Sequence, residues 1–128
     1  MQKTNEVSQL RQQASWKVSR RALLERELFR GQGLDGSQLV WQRRRCGKAG
    51  CRCGDGEGHG PYLYRVRASG SRRRLLYVPA PQTAAAQQAR QAYEDHQRNL
   101  AEYMKLNREI EELFGTIATS GAAQGSEN

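Results

Sequence analysis

Residues 46–59 read CGKAGCRCGDGEGH and contain all three cysteines of the chain and one of its two histidines. The spacing is Cys-x4-Cys-x-Cys-x5-His, and five of the intervening residues are glycines. Thiolate and imidazole groups are the preferred ligands of structural zinc, which takes four of them in a tetrahedron. Glycines permit the positive φ angles that a chain needs to wrap several ligands around one ion. The stretch therefore predicts a structural zinc site formed by Cys46, Cys51, Cys53 and His59.

Two other interpretations of this stretch stay open. Alternate residues of an extended chain share a face, so a turn has to bring the Cys51 and Cys53 thiolates around one ion. The alternatives are a glycine-rich loop without metal and a redox pair of Cys46 with Cys51 or Cys53. The first ten residues are too polar for a secretory signal, and we therefore expect a cytoplasmic protein. A structural disulfide is not expected in that reducing compartment.

Positive charge is concentrated around the cysteines. The chain has 128 residues and a net charge of +8, and residues 41–80, with ten Lys/Arg against two Asp/Glu, carry an excess of the same size. Residues 1–40 carry +3 and residues 81–128 carry −3. A tight basic cluster between nearly balanced segments is typical of a protein that binds a polyanion. No apolar run approaches the length of a membrane span, so we expect no membrane partner.

Alternating side chains on both sides of the cysteines predict three antiparallel strands. The first strand runs into Cys46, the second begins after Gly60-Pro61, and a short turn around Gly70 leads into the third. A sheet of about forty residues has too few large apolar side chains to be stable alone, so a metal, a disulfide or an oligomer has to supplement it. Because structural zinc adds folding free energy directly, we predict a basic zinc-binding β module over residues 37–80.

Helical patterns flank this module. Apolar residues recur at helical intervals within residues 1–36, and a long helix is predicted over residues 81–119, followed by a polar, disordered tail at 120–128. The predicted fold class is α+β, with an N-terminal helix, a zinc-stapled three-stranded antiparallel sheet and a long C-terminal helix. The long helix carries a heptad seam over residues 86–114. This seam predicts either a coiled-coil homodimer or packing against the first helix of the same chain.

The arginines of the β module are candidate contacts to nucleic acid, because the planar guanidinium suits both phosphates and guanine edges. A two-stranded β-ribbon fits the major groove, and we expect the face that carries Arg65 and Arg67 to read bases. Tyrosine rings stack on bases. Double-stranded DNA is favoured over RNA, because a ribbon and a paired helix suit a duplex with two half-sites. The candidates are Arg43, Arg44, Arg45, Lys48, Arg52, Arg65, Arg67, Arg72, Arg73, Arg74, Tyr62 and Tyr64.

Catalysis is not expected. Once His59 is assigned to the metal, His96 is the remaining histidine, and it lies in the helical seam. Asp55 and Glu57 are the acidic residues of the β module, too few and too close together for the metal-binding carboxylates of a nuclease or transposase. The alternative function is a protein–protein adaptor whose long helix pairs with a partner and whose zinc module is only structural.

A set of short motifs resembles a family of small, largely uncharacterised prokaryotic proteins that carries a domain-of-unknown-function label. The motifs are Cys46-Gly47-Lys48, Cys51-Arg52-Cys53, His59-Gly60-Pro61-Tyr62 with Tyr64, and Tyr77-Val78-Pro79. The similarity spans about residues 37–112, and the combination of CGKxxCxC with HGPY is specific. Members of the family often look associated with mobile elements. The resemblance therefore implies an accessory or regulatory role in a mobile element.

Overall fold

The computed structural model describes residues 2–51, 56 and 58–121, with side chains from residue 5 onward. Its elements are helix α1 (Gln2–Phe29), strands β1 (Gln38–Arg44), β2 (His59–Ser69) and β3 (Arg72–Val78), a 3-10 turn (Ala80–Gln82) and helix α2 (Thr83–Thr119). The three strands form one antiparallel sheet in the order β1-β2-β3. The predicted succession of a helix, a three-stranded antiparallel sheet and a long helix is therefore confirmed. Residues 122–128 of the predicted tail lie outside the described part of the chain.

The chain forms two compact units, and α2 contributes to both. The sheet unit comprises residues 32–95 apart from those outside the described ranges. The helical unit comprises, within the described residues, 2–31 and 96–121. No helix in the described part of the chain is both long enough and apolar enough to span a membrane.

The register of the sheet sorts its side chains onto two faces. Residues directly opposite one another in an antiparallel pair share a face, and alternate residues of a strand share it too. Trp41, Leu63 and Val78 are opposite one another across the three strands, and this side is called the core face. Val40, Tyr64 and Tyr77 are likewise opposite one another and define the open face.

The sheet unit has a small core on the core face. Leu63, Val78 and Ala86 are each at most 2% exposed, and Leu39 packs against them. Ala86 comes from the first turn of α2, where a small side chain allows the helix backbone close to the strands. Burying these few side chains stabilises the unit modestly, at about 1.5–3 kcal/mol for each large aliphatic group.

The helical unit is an antiparallel pair formed by α1 and the second part of α2. Leu24, Leu106 and Ile110 form its core, with Val18 and Tyr103 packed against them. Polar contacts join the same two helices beside this core. These contacts are Lys17–Glu109 at 2.7 Å, Arg20–Glu102 at 3.0 Å and Arg21–Asn107 at 2.8 Å.

Three residues of the predicted heptad seam of α2 contact α1 of the same chain: Tyr103, Asn107 and Ile110. Packing against the first helix was one of the two interpretations of this seam. Asn107 accepts a hydrogen bond from the Arg21 guanidinium at 2.8 Å. A homodimer through residues 86–114 stays a prediction.

Candidate metal centre and basic surface

The metal-ligating candidates lie where β1 and β2 meet. β1 ends at Arg44, two residues before Cys46, and β2 begins with His59, which is the register partner of Arg44. Between them the chain turns back, and the Cys51 N–H donates a hydrogen bond to the Lys48 carbonyl at 3.3 Å. Two strand ends and one tight turn thus bring the three residues together.

The geometry of these three side chains suits a metal ion. The ligand atoms of Cys46, Cys51 and His59 all lie within 4.8 Å of one another, and Cys51 Sγ is 3.3 Å from His59 Nε2. Zinc–sulfur and zinc–nitrogen bonds of ordinary length in a tetrahedron place neighbouring ligand atoms about 3.5–3.8 Å apart. Cys46 and Cys51 are not disulfide-bonded to each other. The three residues can therefore hold a metal ion, whereas Cys53, the fourth predicted ligand, lies outside the described residues.

Gly58 is the residue that lets His59 approach the end of β1. Its φ is +94°, a conformation that side-chain-bearing residues rarely adopt. A Cβ at this position would lie 2.7 Å from the Arg44 carbonyl oxygen. Glycine is therefore required at position 58 both by the backbone conformation and by the space available, in line with the predicted need for glycines between the ligands.

The hairpin of β2 and β3 carries an exposed group of arginines. Arg67 lies directly opposite Arg74, and the alternation of the strands puts Arg72 on the same face, with Arg73 on the other. All four side chains are exposed. Among the residues that the structure describes, no carboxylate pairs with any of the four. Four guanidinium groups are thus presented to solvent on one short ribbon.

Arg65 lies on β2 like Arg67, but it pairs with a carboxylate. Its Nε donates to Asp35 Oδ2 at 2.9 Å, and both side chains are about one-quarter exposed. The Ser37 amide donates to the other oxygen of Asp35 at 2.8 Å. That amide hydrogen bond, followed by the Arg65 guanidinium, holds the pKa of Asp35 below its usual value despite partial burial. Arg65 therefore fastens the segment before β1 to the sheet.

The same segment is also fastened to α2. Arg90 donates to the Gly36 carbonyl at 2.8 Å, and the Asp35 amide donates to the Ala89 carbonyl at 3.4 Å. Sequence reasoning missed Asp35 and Arg90, because their partners are distant in the chain and no local pattern marks them.

The remaining basic candidates surround the cysteine loop. Arg43 donates to the Gly60 carbonyl at 2.9 Å and Arg45 to the Gly56 carbonyl at 3.4 Å, so both link β1 to the returning chain. Lys48 is exposed on the loop. Arg44 lies over the ring of Tyr64, 4.6 Å from its centroid, whereas Arg52 lies outside the described residues.

Three tyrosines cluster on the sheet. Tyr62 and Tyr77 meet edge-to-face at 6.0 Å between ring centroids, and Tyr64 and Tyr77 meet at 5.8 Å. Tyr64 is buried, whereas Tyr62 and Tyr77 are 38% and 53% exposed. Sequence reasoning proposed Tyr62 and Tyr64 as contacts but missed Tyr77. The alternation of the third strand was the signal that would have found it.

The fold and the site together define a small α+β protein with a basic β-hairpin and a Cys/His centre suited to a metal ion. The chain belongs to the family described as a domain of unknown function, DUF6788, whose model matches residues 9–88. The matched region covers most of α1, the whole sheet and the start of α2, and it confirms the predicted resemblance to a family of that label. No curated protein and no solved structure matches the chain.

Proposed function

We propose that this protein binds nucleic acid, with double-stranded DNA as the partner, through the exposed arginines of the β2–β3 hairpin. One observation carries the proposal: Arg67 and Arg74 are cross-strand neighbours of like charge. Like charges directly opposite each other destabilise a strand pair. A phosphate backbone would offset that repulsion, because each guanidinium then gains an anionic partner and releases a counterion from the nucleic acid.

The metal centre supports this surface from the other end of the sheet. We propose that the ion is structural zinc, held by Cys46, Cys51 and His59 with Cys53 as the fourth ligand. Zinc would fix the joint between β1 and β2, and thereby the positions of the basic residues that flank the loop. The biological setting implied by the family resemblance is an accessory or regulatory factor of a mobile element.

The test compares DNA binding by the wild type and by an Arg67→Ala/Arg74→Ala variant in a salt titration from about 50 to 200 mM. We expect the variant to bind about tenfold more weakly at the low end and to lose about one unit of salt slope for each phosphate contact removed. Arg11→Ala/Arg26→Ala is the matched control, because it removes two exposed arginines from α1 and therefore has the same net charge as the hairpin variant.

Two outcomes would overturn the proposal. One is a wild-type protein that ignores DNA below physiological salt. The other is an equal loss of affinity in the hairpin variant and the α1 control, which would show that overall charge, and not the hairpin, sets the binding.

A second candidate function is a protein–protein adaptor. Met104 and Phe114 on α2 are about half exposed, although both are large and apolar. A partner helix would cover such side chains. This candidate predicts that Phe114→Ser abolishes partner binding while DNA has no effect on the protein.

A further inference from the structure

We propose that the open face of the sheet binds the unpaired bases of a single-stranded segment adjoining the duplex that the hairpin holds. This inference rests on the proposed function and adds the kind of DNA that the protein prefers. It would make the protein a reader of duplex ends or junctions, where a base-paired region continues into an unpaired strand.

The first observation is the chemistry of the open face. Tyr77 and Tyr62 present exposed rings on this face and pack edge-on against each other. Tyr64 lies opposite Tyr77, is buried and is covered by the Arg44 guanidinium, so it supports the two exposed rings. Aromatic rings bordered by guanidinium groups form the platforms on which proteins stack bases without sequence preference. Arg73 extends from this face by the strand register, Arg44 lies over Tyr64 at the same face, and both supply positive charge for the strand's phosphates.

The second observation is a shallow hollow of about 130 Å³ at one end of the strands. Tyr62 and Tyr77 line it from the open face and Trp41, Leu63 and Val78 from the core face, together with Pro61, Ala80 and Thr83. Its three aromatic side chains are all more than one-third exposed. A soluble protein gains nothing from leaving three large rings around one open depression, whereas a flat aromatic ligand would bury all of them.

These two observations favour unpaired over paired bases. In a duplex, the flat faces of each base are covered by the bases above and below it, so aromatic side chains have no face to contact. An unpaired base offers both faces. Arg67, Arg72 and Arg74 of the hairpin lie on the opposite face, which suits phosphates and does not need unpaired bases.

The test uses the full-length protein and three fluorescent DNA probes: a blunt duplex, the same duplex with an overhang of several thymines, and that duplex with an overhang of abasic nucleotides. We expect the thymine overhang to raise affinity about tenfold, since base–aromatic stacking has about that effect for each base engaged. The abasic overhang carries the same phosphates without bases, and we expect it to bind like the blunt duplex.

Protein variants locate the effect. Tyr77→Leu should remove most of the preference for the thymine overhang and leave blunt-duplex affinity unchanged, whereas Tyr77→Trp should retain the preference. Phe114→Leu is the matched control, because Phe114 in the helical unit is as exposed as Tyr77, at 53%. We expect this control to leave binding to all three probes unchanged.

The outcomes separate this inference from the function on which it rests. Equal affinity for the thymine and abasic overhangs would contradict base stacking on the open face and leave the proposed duplex binding intact. This comparison needs no protein variant. Equal losses on all probes in Tyr77→Leu, with a folded protein by circular dichroism, would overturn it as well. Failure to bind any of the three probes would overturn the proposed function itself.

Discussion

The two units of the chain use the same residue type in opposite ways. In the helical unit, Lys17 and Arg20 of α1 face Glu109 and Glu102 of α2, so basic side chains are paired with carboxylates across the helices. In the sheet unit, the hairpin places Arg67 opposite Arg74. The comparison teaches that the number of arginines says little about function. The charge on the neighbouring element decides whether an arginine stabilises the fold or is available to a ligand.

The largest effect in this comparison is expected from the candidate metal centre, because the sheet unit has a small core and the helical unit has no such cluster among its described residues. Metal removal by a chelator, or Cys51→Ser, should lower the free energy of unfolding of the sheet unit by at least about 3 kcal/mol. The measurement is thermal unfolding followed by circular dichroism, with zinc content determined by mass spectrometry. The helical signal should persist while the sheet signal is lost.

Lys48→Ser is the control for the metal experiment, because it changes the same loop without removing a ligand. It should retain full metal content and stability. A wild-type protein that is folded without metal, and that unfolds at the same temperature as Cys51→Ser, would contradict the proposed structural role of zinc.

A smaller effect is expected from the ion pair that fastens the segment before β1. The pKa of Asp35 is lowered by the Ser37 amide and by Arg65, so the folded state favours the carboxylate. This contribution is fully present above the unfolded pKa, about 3.9, and is lost as the pH falls through the lower folded value. Asp35→Asn should cost about 1 kcal/mol at pH 7, and its difference from the wild type should shrink below pH 4.

Urea unfolding at a series of pH values measures the Asp35 effect. Glu111→Gln makes the same change of charge at an exposed position of α2 and should leave stability unchanged. A constant difference between wild type and Asp35→Asn across the acidic range would show that the carboxylate charge is not what stabilises the segment.

The smallest effect is expected from reversing the charge of one hairpin arginine. Arg74→Glu replaces a repulsive cross-strand pair with an attractive one, so the DNA-free protein should become more stable by about 0.5 kcal/mol. The same change should weaken DNA binding. Thermal unfolding without DNA and a binding titration measure the two effects.

Arg74→Gln sharpens the same experiment, since it removes the repulsion without adding an attraction and should give about half the gain. A loss of stability in both variants would mean that Arg74 stabilises the hairpin, and the argument from like charges would then fail.

The sequence carried enough information for the fold because local patterns determine its elements. Alternation around Gly70 predicted the hairpin, and the sheet register confirms it. Helical periodicity predicted both helices, but the seam of α2 did not distinguish packing within the chain from pairing with a second copy. The same apolar side chains suit either partner, and α1 reaches Tyr103 and Ile110 within one chain.

The candidate site was predictable in part for the same reason. Cys46, Cys51 and His59 are close in sequence, and their thiol and imidazole groups predicted a metal site. The structure places their ligand atoms close together. The role of Arg65 was not predictable, because its partner Asp35 is thirty residues away in the chain and no local pattern links the two. We expected Arg65 to read bases. Its ion pair with Asp35 makes it the least suitable of the hairpin arginines for that role.

The tryptophans give the molecule a pair of built-in optical reporters. The chain has two, and each unit contains one: Trp16 in the helical unit and Trp41 beside the aromatic hollow of the sheet unit. Replacing Trp16 with phenylalanine would therefore leave tryptophan emission that comes from the sheet unit alone. Loss of metal, arrival of a base in the hollow and melting of the strands would each change that spectrum, with no label attached.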